Sequence, residues 1–161
     1  MSNRLSWRLL RDPVHMLALG FGSGLAPRAP GTAGSLLALL PCWYVLQMPW
    51  SWRLAIAVFV FVIGIWICGL SAKRLGAHDH PAIVLDEISA MLTLTLVIPP
   101  NVWWLLLSFG LFRVFDITKP WPIRDMDHRL HGGLGIMLDD QMATVYVALC
   151  LSIIQHGIAT T

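Results

Sequence analysis

The chain has 161 residues, 57% of them hydrophobic and 12% charged, with a net charge of +2 and a mean hydropathy of +0.69. A soluble domain carries about 25% charged residues, so this composition excludes an ordinary water-soluble fold and predicts one membrane-embedded domain over residues 1–161. The small net charge, with no basic run interleaved with aromatics, excludes nucleic acid as a partner.

Residues 1–14 form the first element. Arg4, Arg8 and Arg11 alternate with Leu5, Trp7, Leu9 and Leu10, the pattern of a short basic amphipathic segment resting on an anionic membrane face. A frayed, solvated terminus has the same composition. Residues 1–13 are mostly polar and lead into no hydrophobic region with a small-residue cleavage site, so no cleavable signal is expected. Glycines then stand at 20, 22, 24, 31 and 34, and prolines at 27 and 30. Such a run is expected to interrupt regular helix. It has neither the Gly-Lys-Ser/Thr ending of a Walker loop nor a βαβ context. It leads into an apolar segment that Thr32 or Ser35 would cap. Backbone N–H groups at a helix start, with Gly31 and Gly34 permitting close approach, suit a phosphate. A re-entrant loop packed for its own sake is the alternative.

Five apolar spans are expected, at residues 35–48, 52–72, 81–98, 102–117 and 140–158. Pro41 kinks the short first span. The second is long enough to cross the hydrocarbon, which takes about 20 residues, and Lys73 and Arg74 mark its cytoplasmic end. The third opens on Pro81 and forms a hairpin with the fourth across Pro99-Pro100-Asn101. Cys42, Cys68 and Cys150 lie in apolar segments, where they behave as small hydrophobes rather than as a disulfide framework. The predicted architecture is all-α: a polytopic membrane bundle of about five short transmembrane or re-entrant helices with polar, Gly/Pro-rich cytoplasmic loops. With the N-terminus inside, all nine acids and every one of the eleven bases except Arg53 fall on the inner face, in agreement with the positive-inside rule.

Asp86 and Glu87 stand out because they interrupt an apolar helix. A charge at a helix centre in the bilayer costs about 2.5–3.5 kcal/mol, less near its end, and adjacent carboxylates repel. Basic partners, protonation or a divalent metal would relieve them. Asp116 occupies the matching depth on the partner helix, and Asp139 and Asp140 are expected to start the last one. Five carboxylates thus approach from three helix ends, an all-oxygen donor set that suits Mg²⁺. Helix-end acids paired with Arg113 and Lys119 are the simpler account. Arg113, Asp116 and Lys119 share one helix face, and Arg113, Lys119, Arg124 and Arg129 are candidates for phosphate oxygens or, beside Trp121, headgroup-level anchors. Arg129, His131, Gly132 and Gly133 would form a second backbone cradle, with His131 as a proton donor or an ordinary solvated histidine. His78, Asp79 and His80 have weak metal-ligand character, and a polar cap before a helix is their commoner use.

Four stretches in order carry a resemblance: GFGSGLAPRAPGTAGS (residues 20–35), HDHPAIVLDE (78–87), FRVFDITKPWPIR (112–124) and HGGLGIMLDD (131–140). Together they closely resemble the phosphatidylglycerophosphatase A family. The resemblance implies a Mg²⁺-dependent phosphatase, multi-pass in the bacterial inner membrane, with its active site facing the cytoplasm. Its substrate would be a phospholipid in the bilayer, phosphatidylglycerophosphate, which loses its terminal phosphate to give phosphatidylglycerol. The resemblance puts functional weight on Asp86, Glu87, Asp116, Lys119, Arg124, Asp139 and Asp140, and less on the glycine loop. Attack by water and an aspartyl-phosphate at Asp116 both remain open, as do the oligomeric state and acyl-chain preference. A small cation transporter or channel with a one-sided acidic site is the alternative from another class. A CDP-alcohol phosphotransferase is disfavoured, since its spaced Asp-Gly…Ala-Arg…Gly…Asp…Asp pattern is missing.

Overall fold

The computed structural model describes residues 5–77, 80–121 and 132–159. His78, Asp79, Arg124, Arg129 and His131, all weighed above, lie outside the described residues. Two 3₁₀ segments, Trp7–Arg11 and Gly20–Leu25, flank helix α1 (Pro13–Ala18). Five longer helices follow: α2 (Pro30–Val45), α3 (Trp50–Leu75), α4 (Leu85–Leu94), α5 (Val102–Thr118) and α6 (Gly132–Ala159). No strand occurs among the described residues, so the all-α expectation holds.

Helices α3 and α6 are long and apolar enough to cross a bilayer. Their outward stripes are hydrophobic: Phe59, Val62 and Trp66 on α3, and Val145, Leu149 and Ile153 on α6. These spacings follow the helical period, and such unbroken apolar surface is stable facing lipid rather than water. Helix α4 is different. Its ten residues extend about 15 Å, half the hydrocarbon thickness of about 30 Å. It is enclosed by α2, α3, α5 and α6, and Leu85, Asp86, Ser89, Ala90, Met91, Leu92 and Leu94 are all buried. One apolar core, containing Leu46, Met91, Leu94, Phe112 and Leu151, fills the space between α2, α4, α5 and α6. A second, containing Ala18, Ile67, Cys68, Leu85 and Met137, joins α1, α3, α4 and α6.

Several expected boundaries shift. The first span begins at Pro30, not at residue 35, so Gly31, Thr32, Gly34 and Ser35 lie inside α2. Neither Thr32 nor Ser35 caps it. The N-cap is Ala29, in the left-handed region at φ 48°, with no side-chain cap. Proline at the first helical position has the right φ and no N–H to leave unpaired, so it can start a helix through glycines. The third span shortens to α4, because Pro81 lies in the turn ahead of it. The last helix starts at Gly132, so Asp139 and Asp140 sit two turns inside it rather than at its start. Gly133 lies in its first turn and packs closely against α3. A methyl there would overlap the Ile65 carbonyl oxygen and lie 2.7 Å from the Gly69 nitrogen on α3. Small residues that read as loop are in fact the close crossing of two membrane helices.

Arg53, the base expected away from the inner face, acts as a structural clamp. Its guanidinium donates to the carbonyls of Leu46 (2.8 Å), Met48 (2.9 Å), Thr95 (3.0 Å) and Ile98 (3.4 Å). It thereby satisfies carbonyls left open at the ends of both α2 and α4.

Candidate active site

The segment between α3 and α4 delivers two acids to the centre of the bundle. The Val84 N–H donates to the Ala18 carbonyl at 2.9 Å, which anchors the start of α4 to the end of α1. Asp86 and Glu87 then occupy the first helical turn, where the exposed N–H dipoles favour negative charge. On α2, Gly31 faces Glu87, and a methyl at Gly31 would overlap the Glu87 Oε1. Gly34 faces the Val84 side chain, with 2.6 Å to its Cβ from the position a methyl would take. The predicted phosphate glycines thus serve first as close-packing positions against the α4 N-terminus. Thr32 lies half-buried in the same first turn of α2.

Asp140 reaches this place from α6 and is 4% exposed. One carboxylate oxygen each from Asp86, Glu87 and Asp140 lie within 4.8 Å of one another. Glu87 Oε2 and Asp140 Oδ2 are buried with no hydrogen-bond partner among the described residues. A buried carboxylate oxygen without a partner is strongly disfavoured. A divalent cation would satisfy these groups together. An octahedral Mg²⁺ with bonds of about 2.1 Å holds opposite ligands about 4.2 Å apart, so the cluster fits such an ion after small side-chain movements.

The two remaining acids of the expected five have basic partners. Asp116 accepts from Arg113 Nη1 at 2.6 Å, across one turn of α5. Asp139 is ion-paired to Lys119. Lys119 itself lies just past α5 as its C-cap, left-handed at φ 39°, so it turns off the helix face it was expected to share with Arg113 and Asp116. Arg113 is the hub on the other side. Its Nη1 also donates to Ser35 Oγ at 3.3 Å and lies 3.9 Å from Glu87 Oε1, while its Nε is buried without a partner among the described residues. Ser35 Oγ in turn donates to the Gly31 carbonyl at 2.7 Å. The arrangement is three clustered carboxylates flanked by two cationic side chains, each steadied by a further acid.

The sequence reading missed the layer beneath. Gln141 Nε2 donates to Ser89 Oγ at 3.1 Å, joining α6 to α4. Ser89 is one turn beyond Asp86, and Gln141 directly follows Asp140. Their position as lone polar residues beside acids in apolar helices was the available signal.

A family model described as phosphatidylglycerophosphatase A matches residues 16–155. The chain is 44% identical over 149 residues to the phosphatidylglycerophosphatase A of Escherichia coli, covering 91% of this chain and 86% of that one. It is 39% identical over 162 residues to the Haemophilus influenzae protein of the same name, covering 96% of each. It is also 37% identical over 147 residues to a Bacteroides thetaiotaomicron protein provisionally named a phosphatidylinositol-3-phosphatase, covering 86% and 91%. No solved structure matches.

Proposed function

The chain belongs to the phosphatidylglycerophosphatase A family, and on that premise we propose that it cleaves the terminal phosphate from phosphatidylglycerophosphate, leaving phosphatidylglycerol, with Mg²⁺ held by Asp86, Glu87 and Asp140. It is a phosphatase of that family, and two of its helices are long and apolar enough to cross a membrane. The observation that carries the metal assignment is the meeting of three carboxylates from α4 and α6, two of them with buried, unpartnered oxygens.

When bound, Mg²⁺ supplies positive charge against the phosphoryl oxygens and makes water more acidic. The chain's own groups do the rest. Arg113 presents its unpartnered Nε to a non-bridging oxygen, held by Asp116 and Ser35. Lys119, positioned by Asp139, offers a second cationic contact, and Arg124 a third. A cluster carboxylate accepts a proton from the attacking water as the water oxygen bonds to phosphorus; the bond to the headgroup oxygen breaks, and that oxygen takes up a proton from solvent and leaves as the glycerol hydroxyl.

We place the protein as a multi-pass component of the bacterial cytoplasmic membrane, with the site on the cytoplasmic side, on the charge asymmetry of the sequence. Both lipids that appear in the relatives' names carry a phosphate monoester on a headgroup that is itself attached through a phosphodiester. A substrate of that class can keep its acyl chains in the bilayer while the monoester reaches the cluster. The cation-channel alternative gains no support, since the three acids meet in a single cluster within 4.8 Å rather than in a series along the helices.

The test is phosphate release by the purified chain in detergent, from phosphatidylglycerophosphate and from phosphatidic acid, with Mg²⁺ and with chelator. Release from the first lipid alone, abolished by chelator, is expected. No release from either lipid by folded protein would overturn the reading.

A further inference from the structure

Two sequence motifs take no part in the carboxylate site: the Gly24-Leu25-Ala26-Pro27 stretch and the His80-Pro81-Ala82 stretch. They meet at one open cleft of about 530 Å³, whose walls include Trp7, Leu25, Pro27, Pro30 and His80. We propose that this cleft binds the phosphodiester and glycerol of an anionic lipid headgroup, with His80 as the hydrogen-bond donor. The identity of the lipid rests on the phosphatase reading above, but the cleft's own chemistry does not.

The geometry is built in. Gly24 lies so close to the Ala82 carbonyl oxygen that a methyl there would overlap it, which fixes the glycine loop to the segment leading into α4. The volume falls within the roughly 300–1,000 Å³ usual for small-molecule sites. Its lining includes the apolar Leu25, Pro27 and Trp7, and Trp7 is 68% exposed. An amphipathic aromatic at that level suits the membrane interface. The lining also carries His80. Its Nδ1 accepts the Ala82 N–H at 3.1 Å, so the neutral ring carries its proton on Nε2 and that nitrogen is the donor. Arg28 is exposed and directly follows the lining residue Pro27 in the chain, so its charge can act on an anion bound there.

The relation to the carboxylates completes the case. Pro30 lines the cleft, and the next residue, Gly31, faces Glu87. The first turn of α2 therefore separates the two sites. A headgroup with two phosphates joined by a glycerol can place its monoester at the carboxylates and its diester in the cleft. Phosphatidic acid, which has no diester, would leave the cleft empty. His80 is on this account a specificity-determining residue.

The experiment is calorimetric titration of the full chain in detergent with short-chain phosphatidylglycerol, which carries the diester and glycerol but no monoester. The wild type is expected to bind, and His80→Ala to bind roughly tenfold more weakly, the loss of one hydrogen bond to a charged group. His80→Gln, which keeps an amide donor, should recover part of the affinity and shows that the loss is not misfolding. Arg28→Gln should weaken binding most at low salt, and Asp140→Asn should leave it within about twofold. In turnover, His80→Ala should raise KM for phosphatidylglycerophosphate and leave kcat nearly unchanged. The proposal falls if the wild type does not bind, if His80→Ala binds equally well, if excess inorganic phosphate displaces the lipid, or if Asp140→Asn weakens binding as much as His80→Ala. His80-dependent lipid binding by a protein that releases no phosphate would overturn the phosphatase reading and uphold the cleft.

Discussion

Gly31 on α2 faces the Glu87 carboxylate on α4 with no space for a methyl group between them. The next group that such a methyl would meet is Arg113 Nη1, at 3.3 Å. The obstacle is thus the tip of one flexible side chain rather than backbone. Gly31→Ala should therefore fold, and the better helix propensity of alanine, worth up to about 1 kcal/mol, should hold or raise Tm. Glu87 must move, however, and displacement of a site group by about 1 Å can cost roughly a hundredfold in rate. Thermal unfolding and phosphate release on the same preparation check this. A variant with wild-type activity would remove Glu87 from the chemistry.

Metal dependence should follow the three-acid cluster rather than all five acids. Glu87→Gln and Asp140→Asn each remove one charge at the point where Asp86, Glu87 and Asp140 converge. Each should raise the Mg²⁺ concentration for half-maximal activity by about tenfold or more. An activity-independent readout is the Mg²⁺-induced rise in Tm, since a ligand at 100 times its Kd stabilises by about 2.7 kcal/mol. Wild type should show the rise and both variants should lose most of it at the same Mg²⁺ concentration. Equal Mg²⁺ response in all three would count against the cluster as the binding site.

Much of this was legible in the chain. Asp86 and Glu87 declared themselves because charges inside an apolar helix need a reason, and the structure puts them where α2, α4 and α6 converge. The helix boundaries were less legible. Glycine and proline punctuation argues for loop, but Pro30 starts a helix and Gly133 sits in one, because close helix packing rewards the missing Cβ more than local propensity penalises it. The partition of the five acids was legible only in part. The Arg113–Asp116 pair follows the i,i+3 spacing of one helix face, whereas the other pair depends on Lys119 turning out of α5 to meet Asp139, twenty residues further on, which has no periodicity.

The α3–α6 crossing gives a stability prediction with an internal control. Gly133→Ala would drive a methyl into the Ile65 carbonyl and the α3 backbone, which cannot yield as a side-chain tip can. Destabilisation of about 1–3 kcal/mol is expected, with the helices forced apart. Gly110→Ala on α5 meets nothing within 4 Å and should be neutral or stabilising by about 0.4–1 kcal/mol. Thermal unfolding of both in one detergent checks the contrast. If the two variants behaved alike, the close crossing would be refuted.

The N-terminal segment should respond to acid. The Val14 N–H, at 2.9 Å from Asp12 Oδ1, holds the Asp12 carboxyl below its usual value of 3.8, and Arg74, 2.5 Å from Oδ2, reinforces it. A depressed carboxyl pKa contributes stability that is fully present above the unfolded value and lost as pH falls through the folded one. Contact between α1 and the end of α3 should therefore be constant at neutral pH and weaken only below about pH 4. Hydrogen exchange at residues 13–18 measures it. Asp12→Asn should show the faster exchange already at pH 7, and identical exchange in both proteins would dismiss the pair as an anchor.

The Lys119–Asp139 pair invites a test that separates holding from catalysis. Lys119 is 30% exposed and Asp139 11%, so the pair is partly desolvated, and removing one member leaves a charge with a lost partner. Lys119→Met should cost about 2 kcal/mol, below the figure for a fully buried pair because solvent screens the lysine. Adding Asp139→Asn removes the stranded charge and should restore at least half of that stability. Activity is the discriminating readout. If the pair only ties the end of α5 to α6, the double variant regains both stability and phosphate release. If the Lys119 ammonium also meets the substrate, stability returns and activity does not. The second outcome is expected, because the pair is borne by Asp139, the residue next to Asp140 in the carboxylate cluster.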